Sequence, residues 1–470
     1  MRNTKLVVTL GPSTTDADVI RRMMDAGADV FRLNASHGSQ WEHIERIETV
    51  RAMEREKNRA VGILLDLQGP KIRLGVFENG GCELATGASF ILTTETVMGT
   101  TEIASTNYPD FAKDVKSGDR VLLADGSVEL KVLKSDGVQT KCEVVSGGPI
   151  SDRKGINLPG VQVSTPSLTK KDMADLKFGL EAGIDMVALS FVRRREDLLR
   201  LRHYLDEHES SVPIVAKIEK PGAWERLDEI LEEADGVMVA RGDLGVEMAL
   251  EKVPFIQKSI IERARRRGKF VITATQMLES MIENPYPTRA EVSDVANAIY
   301  DGTDAVMLSA ETSAGKYPVE AVTMMARIAK EAESSRHDTN HREVNYGETP
   351  AQAEIVADAA YHASRILRAA AIIVFTSTGT SARLVARHRP SVPIYAFTPS
   401  AGVARQLSVL YATRAIQEPN LSSTDEMMER MDAKLRELGW LKEGDPVVFV
   451  AGQPIGRPGT TNMMKLHRVG

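Results

Sequence analysis

A (β/α)8 TIM barrel with an inserted small β-barrel lid domain and a C-terminal α/β domain is the fold this sequence predicts. Three observations carry the prediction. A helix–glycine–strand junction recurs along the chain, the helical period vanishes in one internal block, and α/β alternation restarts after a polar stretch.

The junction appears as DAGADVFRLN (25–34), EAGIDMVALS (181–190), RRGKFVITAT (266–275) and DGTDAVMLSA (301–310). Glycine past the last helical turn is the usual left-handed stop, because only glycine takes positive φ without steric cost. Helix starts are marked too. Thr15-x-x-Asp18 and Thr169-x-x-Asp172 fit a capping box, in which hydroxyl and carboxylate satisfy backbone donors left open by the first turn. Behind the second box, Met173, Leu176 and Leu180 share one apolar face.

The strands in order are Lys5–Leu10, Val30–Asn34, Val61–Leu67, Met186–Phe191, Ile214–Glu219, Gly236–Ala240, Phe270–Thr275 and Ala305–Ser309. They are short and apolar on both faces, as parallel strands covered by helices are. Eight such β–α units predict closure. An open doubly wound sheet is the weaker alternative, since no G-x-G-x-x-G turn follows the first strand.

From about Pro70 to Thr165 the pattern becomes alternating strands, with ADGS (124–127) and SDGV (135–138) as hairpin turns. The polar stretch Ser334–Thr349 then reads as a linker, and AAIIVFTSTGTS, VPIYAFTPS and EGDPVVFVAG begin a fresh α/β unit. The predicted domains are therefore 1–69 with 166–336 (barrel), 70–165 (lid) and 350–470 (C-terminal domain). Met324, Met325 and Ile328 are expected in the core or at a subunit contact.

Bulk composition narrows the function. A chain of 470 residues with 42% hydrophobic and 26% charged residues is ordinary globular protein. A net charge of −6 argues against nucleic acid as the main partner. Cys82 and Cys142 form neither a metal-spaced pair nor a disulfide framework, which fits a reduced compartment. The opening MRNTKLVVTLGPS has no apolar run of signal-peptide length, and nothing later reaches membrane-spanning length. The expectation is a cytoplasmic protein.

Active sites of such barrels lie at the C-terminal strand ends. Those ends read Arg32, Asn34, Ser36, Asp66, Ser190, Lys217, Glu219, Arg241, Asp243, Thr275, Ser309 and Glu311, after strands that are apolar. Lys217 and Glu219 are two apart and so share a face. An interior ion pair is the plain reading of those two. Asp243 and Thr275 could each merely cap the next helix. Together, two carboxylates from neighbouring strands suit Mg²⁺ or Mn²⁺, completed by water and phosphate oxygens. The backbone at Gly242-Asp243 would offer N–H donors to an anion. Phosphoryl transfer is the leading class, because a lysine beside such a metal neutralises charge that develops in the transition state.

RLNASHG, LLDLQGPKIR, KGINLPG, IVAKIEK, MVARGDLGVE, TATQMLESM and LSAETSAGKYP, in this order, resemble the motif series of the pyruvate kinases. The resemblance covers barrel and lid. It implies transfer of the phosphoryl group of phosphoenolpyruvate to ADP, giving pyruvate and ATP in the last step of glycolysis. It also implies Glu219 and Asp243 as Mg²⁺ ligands and Lys217 as the group stabilising the transferring phosphoryl and the enolate oxygen. Gly242, Asp243 and Thr275 match substrate-holding positions, with Thr275 near the route that protonates the enolate carbon. Arg32 matches a phosphate-binding arginine. Asn34, Ser36 and His37, with Arg73 and Lys154 from the lid, match the nucleotide and cation region. A homotetramer is implied by analogy.

Two departures stand out. Members needing K⁺ usually read L-D-T-K-G-P-E-I-R, where this chain has Leu67, Gln68 and Lys71. A lysine carries the same unit charge as K⁺, worth roughly 4 kcal/mol at about 4 Å and an effective dielectric near 20 before desolvation. Lys71 is therefore expected to replace K⁺. The alternative is a retained K⁺ site of Asn34, Ser36, Asp66 and Leu67. Lys220-Pro221-Gly222-Ala223-Trp224 also stands where the family more often has N-x-E-G, without touching Lys217 or Glu219.

In the C-terminal domain Thr376, Ser377, Thr378, Gly379, Thr380 and Ser381 run from strand into helix, a candidate phosphate cradle. The matching loop in the family often holds a sugar-phosphate activator, so a sugar-phosphate or nucleotide effector is expected there, with Gly456–Thr461 as a second loop. An ordinary helix-capping loop is the alternative. Two rivals from other classes are a metal-dependent lyase or aldolase acting on a pyruvate enolate, and a metabolite sensor on the same fold. The first has less use for Arg73 and Lys154; the second would lack Lys217 or a metal ligand.

Overall fold

Eight parallel strands close into a barrel: Lys5–Thr9, Val30–Asn34, Gly62–Asp66, Met186–Leu189, Ile214–Ile218, Gly236–Ala240, Phe270–Ala274 and Ala305–Leu308. The computed structural model describes residues 2–335, 350–419, 423–455 and 459–470. Most of the polar linker (336–349) and residues 456–458 of the second C-terminal loop lie outside the described residues. The first strand closes the ring on the eighth, with Lys5 opposite Ala305. Each strand read from the sequence is present, most ending a residue or two early where the polar rim leaves the ladder.

The glycine stops form. Gly27, Gly183, Gly268 and Gly302 take φ of 118°, 83°, 67° and 97°. The Thr169 box forms as well: Thr169 Oγ1 accepts from the Asp172 amide at 3.1 Å, and Asp172 Oδ2 accepts from the Thr169 amide at 2.9 Å. The Thr15 box does not. Pro12–Thr14 makes a 3-10 turn that ends on Thr15, so the cap passes to Asp16, which accepts from the Asp18 amide at 2.8 Å.

Two apolar layers hold the barrel. Leu6, Val8, Phe31, Ile63, Val187 and Ile214 face outward against the helices, with Met325 and Ile328 in the same layer. Val7, Val30, Leu64, Met186, Val215, Met238 and Ile272 fill the interior, in one cluster with Leu410 and Tyr411 of the C-terminal domain. That domain thus seals the barrel floor. Arg389 fixes the junction by reaching both Asp304 oxygens at 2.9 Å, with Tyr411 stacked beneath its guanidinium.

The lid strands fall between Gly81 and Asn157, in a six-stranded sheet and a two-stranded ribbon around their own core, which includes Phe77, Phe90 and Phe111. Both expected hairpins are present. In ADGS, Ala124, Asp125 and Gly126 all take positive φ, whereas in SDGV only Gly137 does. Asp136 Oδ1 compensates in the second turn by accepting the Val138 and Gln139 amides at 2.9 and 2.8 Å. Both cysteines are free thiols in the lid.

The C-terminal sheet runs Thr413–Gln417, Ile394–Thr398, Ala371–Phe375, Pro446–Gly452, Thr461–Arg468, antiparallel only at its last pair. With the floor sealed, the open rim at the strand ends is left for chemistry.

Candidate active site

Strand register sets the site. Asn34 is level with Asp66, and Asp66 with Ala188, so three rim segments meet at one height. Asp66 is almost wholly buried and works on both sides. Its Oδ2 takes Arg32 through Nε at 2.8 Å and Nη2 at 2.7 Å. Its Oδ1 lies 3.3 Å from Lys217 Nζ. Burial alone would raise this carboxyl, but Lys217 and Arg32 hold it below the usual carboxylate range. Thr9 accepts Arg32 Nη1 at 3.0 Å and completes its support, a role nothing in the sequence signalled.

Lys217 donates to Ser190 Oγ at 2.7 Å, and Ser190 donates to the Leu67 carbonyl at 2.7 Å. Lys217 Nζ also stands 3.3 Å from Glu219 Oε1. Burial pushes the lysine down, yet Asp66, Glu219 and Asp243 more than offset it, so its pKa is raised and the ammonium stays charged. Glu219 is pushed above the usual carboxylate range by its burial. Its Oε1 receives no hydrogen bond. Three carboxylates thus face one lysine, with Asp66 already served by Arg32. Glu219 is left short of positive partners, so its ionised form is held back until a further cation joins it.

Among the described residues no three His, Cys, Asp or Glu side chains group into a metal cage. Glu219 and the exposed Asp243 are a two-carboxylate set within electrostatic reach of each other. Such a pair could hold a hard divalent ion whose remaining ligands are water and substrate oxygens.

Arg241–Glu247 is helical with Ala240 at its N-cap, so Asp243 is the third helical residue and caps nothing. Thr275 does not cap the turn that follows it, whose N-cap is Leu278. Thr275 and Gln276 take φ of +66° and +53°, a left-handed turn that non-glycine residues rarely adopt. Arg241 holds that turn by donating to the Thr275 carbonyl at 2.7 Å and the Gln276 carbonyl at 3.1 Å. The expectation of two free amides at Gly242-Asp243 needs correction. The Gly242 N–H is donated to Thr275 Oγ1 at 2.8 Å, because the turn brings that hydroxyl over the helix start.

At the lid side, burial and then the charges of Lys71, Arg73 and Arg32 hold the His37 imidazole below its usual pKa, which places these groups in mutual reach. Lys71 is half-buried and Lys154 exposed. Arg73 donates to the Arg153 carbonyl at 3.0 Å. Three residues of the alternative K⁺ set, Asn34, Asp66 and Leu67, have oxygens already engaged. Asn34 Oδ1 accepts the Ser36 amide at 3.1 Å, Asp66 serves Arg32 and Lys217, and the Leu67 carbonyl takes Ser190. Glu311 accepts the Leu278 and Ser309 amides and braces the loops from below.

In the C-terminal loop, Thr376 Oγ1 accepts the Gly379 amide at 2.9 Å and Ser381 pairs with Thr461 at 2.6 Å. Both hydroxyls are buried and used internally, which leaves Thr378 and Thr380 exposed.

Residues 1–322 match the family model described as pyruvate kinase, barrel domain, and residues 354–467 match pyruvate kinase, alpha/beta domain. Pyruvate kinase of Geobacillus stearothermophilus is 45% identical, over 99% of this chain and 80% of its own. That of Corynebacterium glutamicum is 45% identical over 100% and 98%, and that of Mycobacterium tuberculosis 46% over 100% and 99%. A crystal structure of a pyruvate kinase from Cryptosporidium parvum superposes with a TM-score of 0.95 at 35% identity, covering 100% of this chain and 96% of that one.

Proposed function

The chain belongs to the pyruvate kinase family, and from that premise we propose how its residues carry phosphoryl transfer from phosphoenolpyruvate to ADP. It is a phosphotransferase. The observation that carries the reading is the buried Lys217 ammonium set between Asp66 and Glu219 at the barrel rim.

Arg32, fixed by Asp66 and Thr9, binds the phosphate of phosphoenolpyruvate. Lys217 lies against the bridging and enolate oxygens. As the phosphoryl group leaves the enol oxygen for the terminal phosphate of ADP, negative charge spreads over oxygens that these two cations stabilise. The enolate left behind takes a proton at carbon to become pyruvate, with Thr275 beside that route. Asp243 stands at the substrate carboxylate end beside Gly242, whose N–H is held by Thr275 Oγ1. Glu219 and Asp243 would hold Mg²⁺ or Mn²⁺, which when bound supplies charge to neutralise the phosphoryl oxygens. Asn34, His37, Arg73 and Lys154 receive ADP, and the lid over them excludes water that would otherwise hydrolyse the phosphoryl group.

Lys71 supplies the monovalent charge. Its reach to His37 and the engagement of the Asn34, Asp66 and Leu67 oxygens of the alternative K⁺ set support activity without K⁺. A homotetramer in the cytoplasm, with an effector at Thr376–Ser381, follows by analogy with the family.

The test is pyruvate formation from phosphoenolpyruvate and ADP with Mg²⁺ in K⁺-free buffer, then with KCl. Full activity without K⁺ is expected. Activity only with KCl would keep the kinase and remove Lys71 from its role. Failure in both buffers would return the lyase reading.

A further inference from the structure

Lys220 follows Glu219 directly and lies outside the machinery above, yet its ammonium is bonded to Glu247 Oε1 and sits 5.2 Å over the Phe191 ring. Glu247, at the end of the Arg241–Glu247 helix, has a side chain only 1% exposed. Its Oε1 also accepts Asn157 Nδ2 at 3.1 Å, and its Oε2 is buried without a hydrogen bond. Asn157 is on the lid. It pairs with Leu122 and so is tied into the lid's main sheet.

Among the described residues, side-chain hydrogen bonds cross from lid to barrel at two places. One is the hinge, where Arg193 donates to the Val163 and Thr165 carbonyls while Ser164 between them is held by Asp114. The other is Asn157–Glu247. A lid joined at a hinge can swing, and a second contact away from it decides where the swing stops.

We propose that Glu247, held in place by Lys220, is the seat on which the lid docks through Asn157. The seat makes Lys220 and Glu247 positioning residues, which set how Arg73 and Lys154 stand over the nucleotide. The inference rests on the assignment of those two lid residues to ADP. Phosphoenolpyruvate is held from the barrel side by Arg32 and Lys217, so loosening the seat acts on one substrate and spares the other.

Asn157→Ala, Lys220→Met and Lys220→Arg in the full-length protein test this. Asn157→Ala removes one hydrogen bond to a charged group, and Lys220→Met leaves the Glu247 carboxylate buried without its cation. Hydrogen–deuterium exchange across 153–163 should quicken in the first two variants. KM for ADP should rise about tenfold while KM for phosphoenolpyruvate stays within about twofold. Lys220→Arg should restore both readings. Unchanged exchange across 153–163, or equal rises in both KM values, overturns the seat. Absence of pyruvate formation by the parent protein would sink the kinase reading instead, and the exchange comparison would still decide whether the lid docks there. Asn157 lies at a lid edge, so its variant keeps the test open should Lys220→Met not fold.

Discussion

Lys217 Nζ stands 3.3 Å from Glu219 Oε1, the lysine on the strand Ile214–Ile218 and the glutamate just past its end. The pair is unequal. The lysine has three anionic neighbours in Asp66, Glu219 and Asp243, while Glu219 lacks a hydrogen bond to the oxygen nearest it. A carboxyl whose ionised form lacks partners, beside a lysine held in its charged form, suits a divalent ion and an anionic substrate together.

Lys217→Met should therefore lower kcat by about 10²–10³ or more, as removal of a preorganised charge does. Asp66 keeps Arg32, so the fold survives. Steady-state kinetics beside a thermal melt check this. A kcat within about tenfold of the parent, in a folded variant, would remove Lys217 from the chemistry.

Lys71→Glu exchanges the built-in cation for an anion. Its expected effect is loss of most activity in K⁺-free buffer and partial recovery on adding KCl, with no change for the parent. The Coulombic energy at stake is of order 4 kcal/mol before desolvation and much less after it. Titrating activity against KCl for both proteins reads the difference directly. A variant as active as its parent without K⁺ would show Lys71 to be a bystander.

The barrel was legible because its signals are local. Gly27, Gly183, Gly268 and Gly302 each stop a helix with positive φ, and apolar strands follow at once. The rim residues were legible for the same reason, since strand ends are fixed once strands are. What escaped depends on partners distant in sequence. Thr9 under Arg32, Arg241 over the Thr275–Gln276 turn and Glu247 under Asn157 are separated by 23, 34 and 90 positions. Gly242 escaped differently. A helix start suggested a free amide, and only the left-handed turn at Thr275 reveals a hydroxyl that takes it.

Asp29, at the barrel floor, gives a prediction about pH. Its carboxylate accepts Arg2 at 2.5 Å, Arg59 at 2.7 Å and the Leu6 amide at 2.9 Å. Burial would raise it, but Arg2, Lys5, Arg59 and the Leu6 bond hold it down to about 2. An unfolded aspartate titrates near about 3.9, so the unfolded chain binds the proton first and Asp29 contributes on the order of 2 kcal/mol above that pH. The contribution is lost as pH falls through about 2. Urea denaturation of the parent and Asp29→Asn should therefore show a stability gap that is full at pH 5 and narrows toward pH 2. A gap independent of pH would mean that the floor network does not act through this charge.

Arg241 gives the last prediction. Two adjacent residues at positive φ cost on the order of 1–3 kcal/mol each, and persist only where their surroundings overdetermine them. Arg241 supplies that restraint: Nη2 reaches the Thr275 and Gln276 carbonyls, while Nη1 is tied to Asp294 at 2.6 Å. A lysine keeps the charge but has no planar fork to span two carbonyls and an aspartate at once. In Arg241→Lys the turn should relax, and Thr275 Oγ1 should lose its place at the Gly242 amide. On the proposed role of Thr275 in protonating the enolate, the late step should suffer more than phosphoryl transfer. ATP formation in a single turnover should then outpace pyruvate formation, whereas the parent makes both together. Equal slowing of both products would instead place Arg241 in general support of the rim.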